Sequence, residues 1–147
     1  MDRGSKQMKN IFDIEADLKV IPVNCVGVMG KGLAKEFKER FPKHFEEYKN
    51  TKMEIGECLI LDKYVMFPTK LHWKDPSKLE WIKAALHDLF LTCIIHNANC
   101  HRHPKIGSIA FPRIGCGLGG LDWNTVKPLI ETFFNERSKI NIIYCEE

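Results

Sequence analysis

Two glycine-rich segments constrain the fold of this chain more than any other feature of its sequence. Residues 23–34 read VNCVGVMGKGLA and residues 111–120 read FPRIGCGLGG, and each lies between an apolar run and a helical pattern. A strand that enters a glycine-rich turn and then a helix gathers backbone N–H groups at the positive end of a helix dipole, where anions bind. Two such segments predict a ligand with two phosphates, or one diphosphate held from both sides.

The composition fits one domain with one anionic ligand site. The chain has 147 residues, of which 44% are hydrophobic and 28% are charged, as in ordinary globular proteins. Its net charge of +3 suits an anionic ligand but does not by itself indicate nucleic-acid binding. The six cysteines include no Cys-x-x-Cys pair, which predicts reduced thiols and a cytoplasmic protein. No segment is apolar enough to cross a membrane. We expect a polar leader at residues 1–9, a single domain at 10–147 and a monomer.

Strand-like and helix-like patterns alternate along the chain. A short strand and turn are predicted at residues 10–15 and further strands at 19–24, 57–61, 64–67, 106–111 and 140–144. Helices are predicted at 31–40, 79–93 and 123–135, with a helical turn at 45–48. Ser77-Lys78-Leu79-Glu80 has the pattern of a capping box, Asp122 is a candidate N-cap, and residues 68–76 are predicted to be a loop. The alternation predicts a three-layer α/β/α sandwich around a mixed, largely parallel sheet. Both glycine-rich segments fall at the carboxyl ends of strands, where such sheets bind ligands.

Residues 23–34 and residues 115–123, GCGLGGLDW, resemble the two ligand loops of the macro domain family. The resemblance covers about residues 10–144. The first segment is not a Walker A loop, because Gly30-Lys31-Gly32 lacks the hydroxyl residue that would hold magnesium. The resemblance implies that the chain binds ADP-ribose without a cofactor. The ligand-binding residues that it implies are Asn10, Ile11, Asn24, Gly27, Val28, Met29, Gly30, Lys31, Gly32, Thr69, Pro112, Arg113, Ile114, Gly115, Cys116, Gly117, Leu118 and Gly119.

Residues 67–73, FPTKLHW, together with GLGGLDW in the second loop, resemble one branch of that family. Its members remove ADP-ribose from DNA bases, as antitoxin partners of DNA ADP-ribosyltransferases. The resemblance implies that Lys70 is the catalytic lysine and that Asn24 orients the distal ribose. A related branch pairs such a lysine with an aspartate of the second loop. Gly119 stands at that position here, which speaks against a Lys/Asp pair. Where many members have a Gly-Asp pair, this chain has Lys9-Asn10, and Asn10 could still bond the adenine edge.

The residues themselves leave structural alternatives open. Asn24 could satisfy the backbone of its own turn instead of a ribose hydroxyl. Phe67 and Trp73 flank Lys70 in sequence, and partial desolvation would favour the neutral, nucleophilic amine, although most lysines are simply exposed. The spacing of His96, Cys100, His101 and His103 fits no common zinc site, so we expect no metal.

Three functions fit these observations. The first is an ADP-ribosyl glycohydrolase whose partner is an ADP-ribosylated macromolecule, with ADP-ribosylated DNA as the favoured candidate. The second is a phosphatase acting on ADP-ribose 1''-phosphate, which needs no lysine nucleophile. The third is a reader that binds ADP-ribose without turnover.

Overall fold

The computed structural model describes residues 10–99, 101 and 104–145, so the leader predicted at 1–9 lies outside the described part of the chain. Within these residues the chain forms two short 3-10 helices, Ile11–Asp13 and Glu136–Ser138, and nine α-helices and β-strands. In chain order these are β1 (Leu18–Asn24), α1 (Gly32–Arg40), α2 (Pro42–Asn50), β2 (Leu59–Leu61), β3 (Tyr64–Lys70), α3 (Leu79–Ala98), β4 (Ser108–Phe111), α4 (Trp123–Phe133) and β5 (Asn141–Tyr144). No helix within the described residues is both long and apolar enough to cross a membrane.

The five strands form one sheet in the order β2-β3-β1-β4-β5. β1 pairs in parallel with β3 and with β4, and β4 pairs in parallel with β5. Only β2 is antiparallel, because a tight turn connects it to its neighbour β3. The sheet is therefore mixed and largely parallel, as the sequence predicts, and its parallel strands end at the same edge.

Alternate residues of the central strand β1 pack against different helices. Leu18 and Val20 belong to the core cluster that contains the buried residues of α3 and α4. Ile21 and Val23 belong to the cluster that contains Phe37 of α1 and the buried residues of α2. Because successive strand residues point to opposite faces, helices cover both sides of the sheet. This confirms the predicted three-layer α/β/α sandwich.

Three local predictions are wrong, and in each the hydrogen bonds that form differ from those that the sequence pattern predicts. Residues 11–13 form a 3-10 helix rather than a strand, since the Asn10 side chain caps it by accepting from the Phe12 N–H at 3.0 Å. Strand β3 continues through Lys70, because it pairs with β1 as far as Asn24, so residues 68–70 are not loop. No capping box forms at Ser77: Lys78 is the N-cap of α3, and no side chain caps that helix.

The predicted helix and strand bounds are otherwise adjusted by a few residues. The turn predicted at 45–48 is the centre of the longer helix α2, which starts at Pro42, a residue that fits the first helical turn. Asp122 caps α4 as predicted, its carboxylate accepting from the Asn124 N–H at 2.9 Å.

Candidate functional site

A cavity of about 860 Å³ lies at the carboxyl ends of β1 and β3. Both glycine-rich segments line it, although residues 35–110 separate them in the sequence. The predicted ligand residues on its wall are Asn24, Val28, Gly30, Lys31, Gly32, Thr69, Arg113, Gly115, Cys116, Gly117, Leu118 and Gly119, together with Lys70. The parallel sheet thus brings the two segments and the candidate lysine to one place.

A second cavity of about 750 Å³ adjoins the first. The two share the lining residues Leu33, Arg113, Cys116 and Gly117. The predicted ligand residues Ile11 and Pro112 line this second cavity, beside Trp123 and Cys145. Together the cavities form a cleft large enough for a dinucleotide-like ligand.

Four predicted ligand residues line neither cavity: Asn10, Gly27, Met29 and Ile114. Met29 and Ile114 are fully buried in the two hydrophobic clusters. The Asn10 amide donates to the Glu36 carboxylate at 3.2 Å while its oxygen caps the 3-10 helix. Its side chain therefore serves the local structure, and the proposed contact with an adenine edge finds no support in this arrangement.

The Asn24 side chain organises the first glycine-rich segment. Its Oδ1 accepts from the N–H groups of Val26 at 3.1 Å and Val28 at 3.3 Å, and its Nδ2 donates to the Val28 carbonyl at 2.8 Å. The buried Tyr48 hydroxyl donates to the Asn24 backbone carbonyl at 2.7 Å and to Oδ1 at 2.9 Å. One amide N–H of Asn24 has no acceptor among the described residues, and Asn24 lines the cavity, so a ligand contact is compatible with the turn-forming role.

Backbone N–H groups are available on both sides of the cavity. Helix α1 starts at Gly32, and no side chain caps its N-terminus. The N–H groups of the first turn of a helix lack helical acceptors and carry the positive end of the dipole. In the second segment the Cys116 N–H donates to the Arg113 carbonyl, but within the described residues those of Gly117 and Leu118 meet no acceptor. This arrangement suits an anion between the two segments.

Gly119 is packed too closely for any larger residue. A Cβ at this position would collide with the carbonyl oxygen of Gly115 and with Ser77 Oγ. The Ser77 N–H donates to the Gly119 carbonyl at 2.9 Å, which ties the loop to the start of α3. Ser77 Oγ is buried without a hydrogen-bond partner. No carboxylate can therefore occupy this position of the loop as it stands.

Lys70 lies at the end of β3, half-buried, on the cavity wall. Its Nζ donates to the Trp73 carbonyl at 3.5 Å, and Trp73 also lines the cavity with 47% of its surface exposed. Phe67, in contrast, is fully buried in the core beneath α3 and α4, so it does not flank the amine as its sequence position suggests. Trp73 is therefore the aromatic neighbour of Lys70 at the site.

Several features of the site could not be recognised in the sequence. Tyr48 is 24 residues from Asn24, and no motif joins them. The sequence predicts a capping role for Ser77 and no role for Lys74, yet both line the larger cavity. Burial raises the pKa of the Cys116 thiol, which disfavours a nucleophilic role for it.

No histidine within the described residues lines either cavity. His72 is absent from both cavity linings, and its Nδ1 accepts from the Lys74 N–H at 3.2 Å. Of the residues weighed for zinc, Cys100 and His103 lie outside the described part of the chain. No group of three or more possible metal ligands occurs within that part.

The Macro domain family matches this chain over residues 20–130. A curated relative from Mycobacterium tuberculosis, named DNA ADP-ribosyl glycohydrolase, is 38% identical over 146 residues, covering 91% of this chain and 39% of that protein. A relative of the same name from Thermus aquaticus is 36% identical over 134 residues, covering 83% of this chain and 35% of that protein. This chain thus spans less than two fifths of the length of either relative.

Two solved structures are similar to this one over nearly their whole length. The macrodomain of Mycobacterium tuberculosis DarG has a TM-score of 0.82 and 34% identity, with 92% of each chain covered. The macrodomain of Thermus aquaticus DarG has a TM-score of 0.81 and 30% identity, with 95% of each chain covered.

Proposed function

Because this chain belongs to the macro domain family, we propose that it is a hydrolase that binds ADP-ribose and removes it from a DNA base. One observation carries the proposal: Lys70 lies on the wall of the cavity that both glycine-rich segments line. The similarity to proteins named DNA ADP-ribosyl glycohydrolase supports the choice of substrate. A cytoplasmic location and a monomeric state stay predictions from the sequence.

The ligand would lie along the cleft formed by the two cavities. Its diphosphate would contact the N-terminus of α1 and the N–H groups of Gly117 and Leu118, which have no acceptor among the described residues. The distal ribose would then reach Asn24 and Lys70, and the adenine would lie in the second cavity near Ile11. The linkage to be broken would face the Lys70 amine.

The chemistry at Lys70 can follow either of two balanced routes. In the first, the neutral amine attacks the anomeric carbon, a new C–N bond forms, and the bond to the base nitrogen breaks as the base takes up a proton. Water then hydrolyses the ribosyl–lysine adduct, which releases ADP-ribose and the amine. In the second, the amine orients the attacking water and takes its proton, a C–O bond forms at the anomeric carbon, and the bond to the base nitrogen breaks as that proton passes to the departing base. Both routes place the amine next to the anomeric carbon.

The test compares the wild-type protein with Lys70→Ala and with Lys83→Ala, an exposed lysine on α3 outside both cavities. Each is incubated with an ADP-ribosylated oligodeoxynucleotide, and released ADP-ribose is measured by chromatography. Calorimetry measures ADP-ribose binding in parallel. We expect Lys70→Ala to lose at least about 100-fold in release, the lower range for a positioned catalytic group, while it still binds ADP-ribose. Lys83→Ala should match the wild type.

Two other results would each point to a different function. Release of phosphate from ADP-ribose 1''-phosphate that survives Lys70→Ala, without release from DNA, would indicate the phosphatase. Tight ADP-ribose binding with no turnover of ADP-ribosylated DNA, ADP-ribosylated protein or the phosphorylated nucleotide would indicate a reader. Absence of ADP-ribose binding at millimolar concentration would refute all three.

A further inference from the structure

Exposed apolar side chains are concentrated at the mouth of the larger cavity. Seven large hydrophobic residues in the described part of the chain are exposed, and two of them, Leu91 and Ile95, lie on α3. The other five form what we call the apolar rim: Val26, Val28, Leu71, Trp73 and Leu118. Val28, Trp73 and Leu118 line the cavity directly. Val26 and Leu71 lie next to each other, because the Cys25 N–H donates a hydrogen bond to the Leu71 carbonyl at 3.0 Å.

Trp73 is the large flat member of this rim, and its turn holds it in place. The Asp75 N–H donates to the His72 carbonyl at 3.0 Å, and the Lys74 N–H donates to His72 Nδ1 at 3.2 Å. The His72 ring lies 5.4 Å from the Trp73 ring, and Lys74 Nζ lies 5.4 Å from the ring centre. A large aromatic surface is thus presented beside Lys70 while nearly half of it stays exposed.

The charged side chains that line the larger cavity are all basic. The cavity lining contains Lys31, Lys70, Lys74 and Arg113 and no acidic residue. Exposed aromatic rings next to basic side chains are the combination that binds unpaired bases and their phosphates. An apolar rim alone would suit many partners, but the all-basic lining favours an anionic polymer over a protein segment of mixed charge.

We propose that Trp73 is the stacking platform for the base that carries the ADP-ribose, with Lys74 near a neighbouring phosphate. This inference rests on the proposed function and makes Trp73 a specificity residue rather than a catalytic one. The base is bonded to the anomeric carbon, so it must lie within a few ångströms of the Lys70 amine, and Trp73 is the exposed aromatic on that wall. A base stacked there must be unpaired, which predicts poor binding of a modified base within a duplex.

The experiment separates base recognition from turnover by using the Lys70→Ala protein, which we expect to hold substrate without cleaving it. Trp73→Ala, Trp73→Phe and the control Ile95→Ala are each added to that background. Anisotropy measures the Kd for a fluorescent ADP-ribosylated single-stranded oligodeoxynucleotide, and calorimetry measures the Kd for free ADP-ribose. Loss of one stacked base should weaken oligonucleotide binding by about tenfold in Trp73→Ala. Free ADP-ribose should bind within about twofold of the parent, since stacking acts on the base alone.

Two control variants show whether an aromatic ring at position 73 is what binds the base. Trp73→Phe keeps an aromatic face and should recover most of the lost affinity. Ile95→Ala removes an exposed apolar residue on α3 and should change neither Kd. Equal loss of oligonucleotide and ADP-ribose affinity would overturn the inference, because Trp73 would then contact the ADP-ribose itself. So would an unchanged oligonucleotide Kd, or an equal loss with an ADP-ribosylated peptide, which would assign the rim to protein substrates.

Failure of this inference differs from failure of the proposed function. If the wild type releases no ADP-ribose from the oligonucleotide, the function is wrong whatever Trp73 does. If the wild type cleaves it and Trp73→Ala binds it as tightly as the parent, the function stands and the stacking platform does not.

Discussion

The substitution Tyr48→Phe removes one hydroxyl of α2. It tests whether the hydrogen bonds from Tyr48 to Asn24 stabilise the first glycine-rich segment. The Tyr48 hydroxyl is fully buried and donates to two acceptors of Asn24, at 2.7 and 2.9 Å. Burial raises the pKa of this phenol, so it remains a donor at every ordinary pH. Phenylalanine keeps the ring and the packing but removes this donor.

The magnitude follows from the hydrogen bonds that are lost. A buried intramolecular hydrogen bond contributes about 1 kcal/mol, and an acceptor left unsatisfied adds about 1 kcal/mol more. Asn24 Oδ1 keeps its bonds from Val26 and Val28, so the loss should stay near 1–2 kcal/mol. For a domain of this size that corresponds to a fall of roughly 2–8 °C in Tm. ADP-ribose affinity should also fall, since the Asn24 amide would no longer be fixed from below.

Urea unfolding and calorimetric titration with ADP-ribose measure the two effects. Tyr64→Phe is the matched control, because the Tyr64 ring packs among Phe12, Phe37 and Phe41. Its hydroxyl donates no hydrogen bond within the described residues, so this substitution should change neither quantity by much. The prediction is refuted if Tyr48→Phe unfolds at the same urea concentration as the wild type and binds ADP-ribose as tightly as the wild type. The hydrogen bonds from Tyr48 to Asn24 would then not be what stabilises the segment.

Three further predictions concern other parts of the fold. Gly119→Ala should weaken ADP-ribose binding and lower stability because its methyl group meets Ser77 Oγ, whereas Gly117→Ala, with open space around it, should leave stability unchanged; urea unfolding separates them. Asp122→Ala removes the cap of α4 and should cost about 1 kcal/mol in the same assay. Burial raises the pKa of the Cys93 thiol from 9.0 to about 12, so the folded state holds a proton that the unfolded chain releases. Stability should therefore decline between about pH 9 and 12, less steeply in Cys93→Ala, as unfolding at each pH would show.

The architecture could be predicted because its signals are local. The β-branched run at 19–24, the apolar spacing of α3 and the N-cap Asp122 each specify an element within a few residues of sequence. The errors arose where long-range pairing decides. Pro68 looks like the start of a loop, but β1 pairs with β3 in parallel through Pro68 to Lys70 and extends the strand. Residues 10–13 contain apolar side chains in a strand-like mixture, but the capping amide of Asn10 closes a 3-10 turn.

Only those residues of the site that stand in a recognisable sequence motif could be predicted. The glycines and Lys70 stand in recognisable segments, and the fold brings those segments to one cavity. Met29 and Ile114 stand in the same motifs but point into the core, a difference that spacing in a loop cannot reveal. The Tyr48–Asn24 contact links elements 24 residues apart, so it depends on how α2 packs under β1.

The close packing of Gly119 bears on how the proposed lysine would work. Gly119 stands where a related branch of the family has an aspartate, so the sequence itself supplies no carboxylate at this position. The structure adds that Ser77 Oγ and the Gly115 carbonyl occupy the volume where a Cβ would stand. The Ser77 N–H bond to the Gly119 carbonyl, at 2.9 Å, holds the loop in this position. The lining of the larger cavity is also free of acidic residues. The larger cavity therefore offers no carboxylate beside Lys70 for a proton shuttle, and the proposed chemistry depends on Lys70, water and the leaving base.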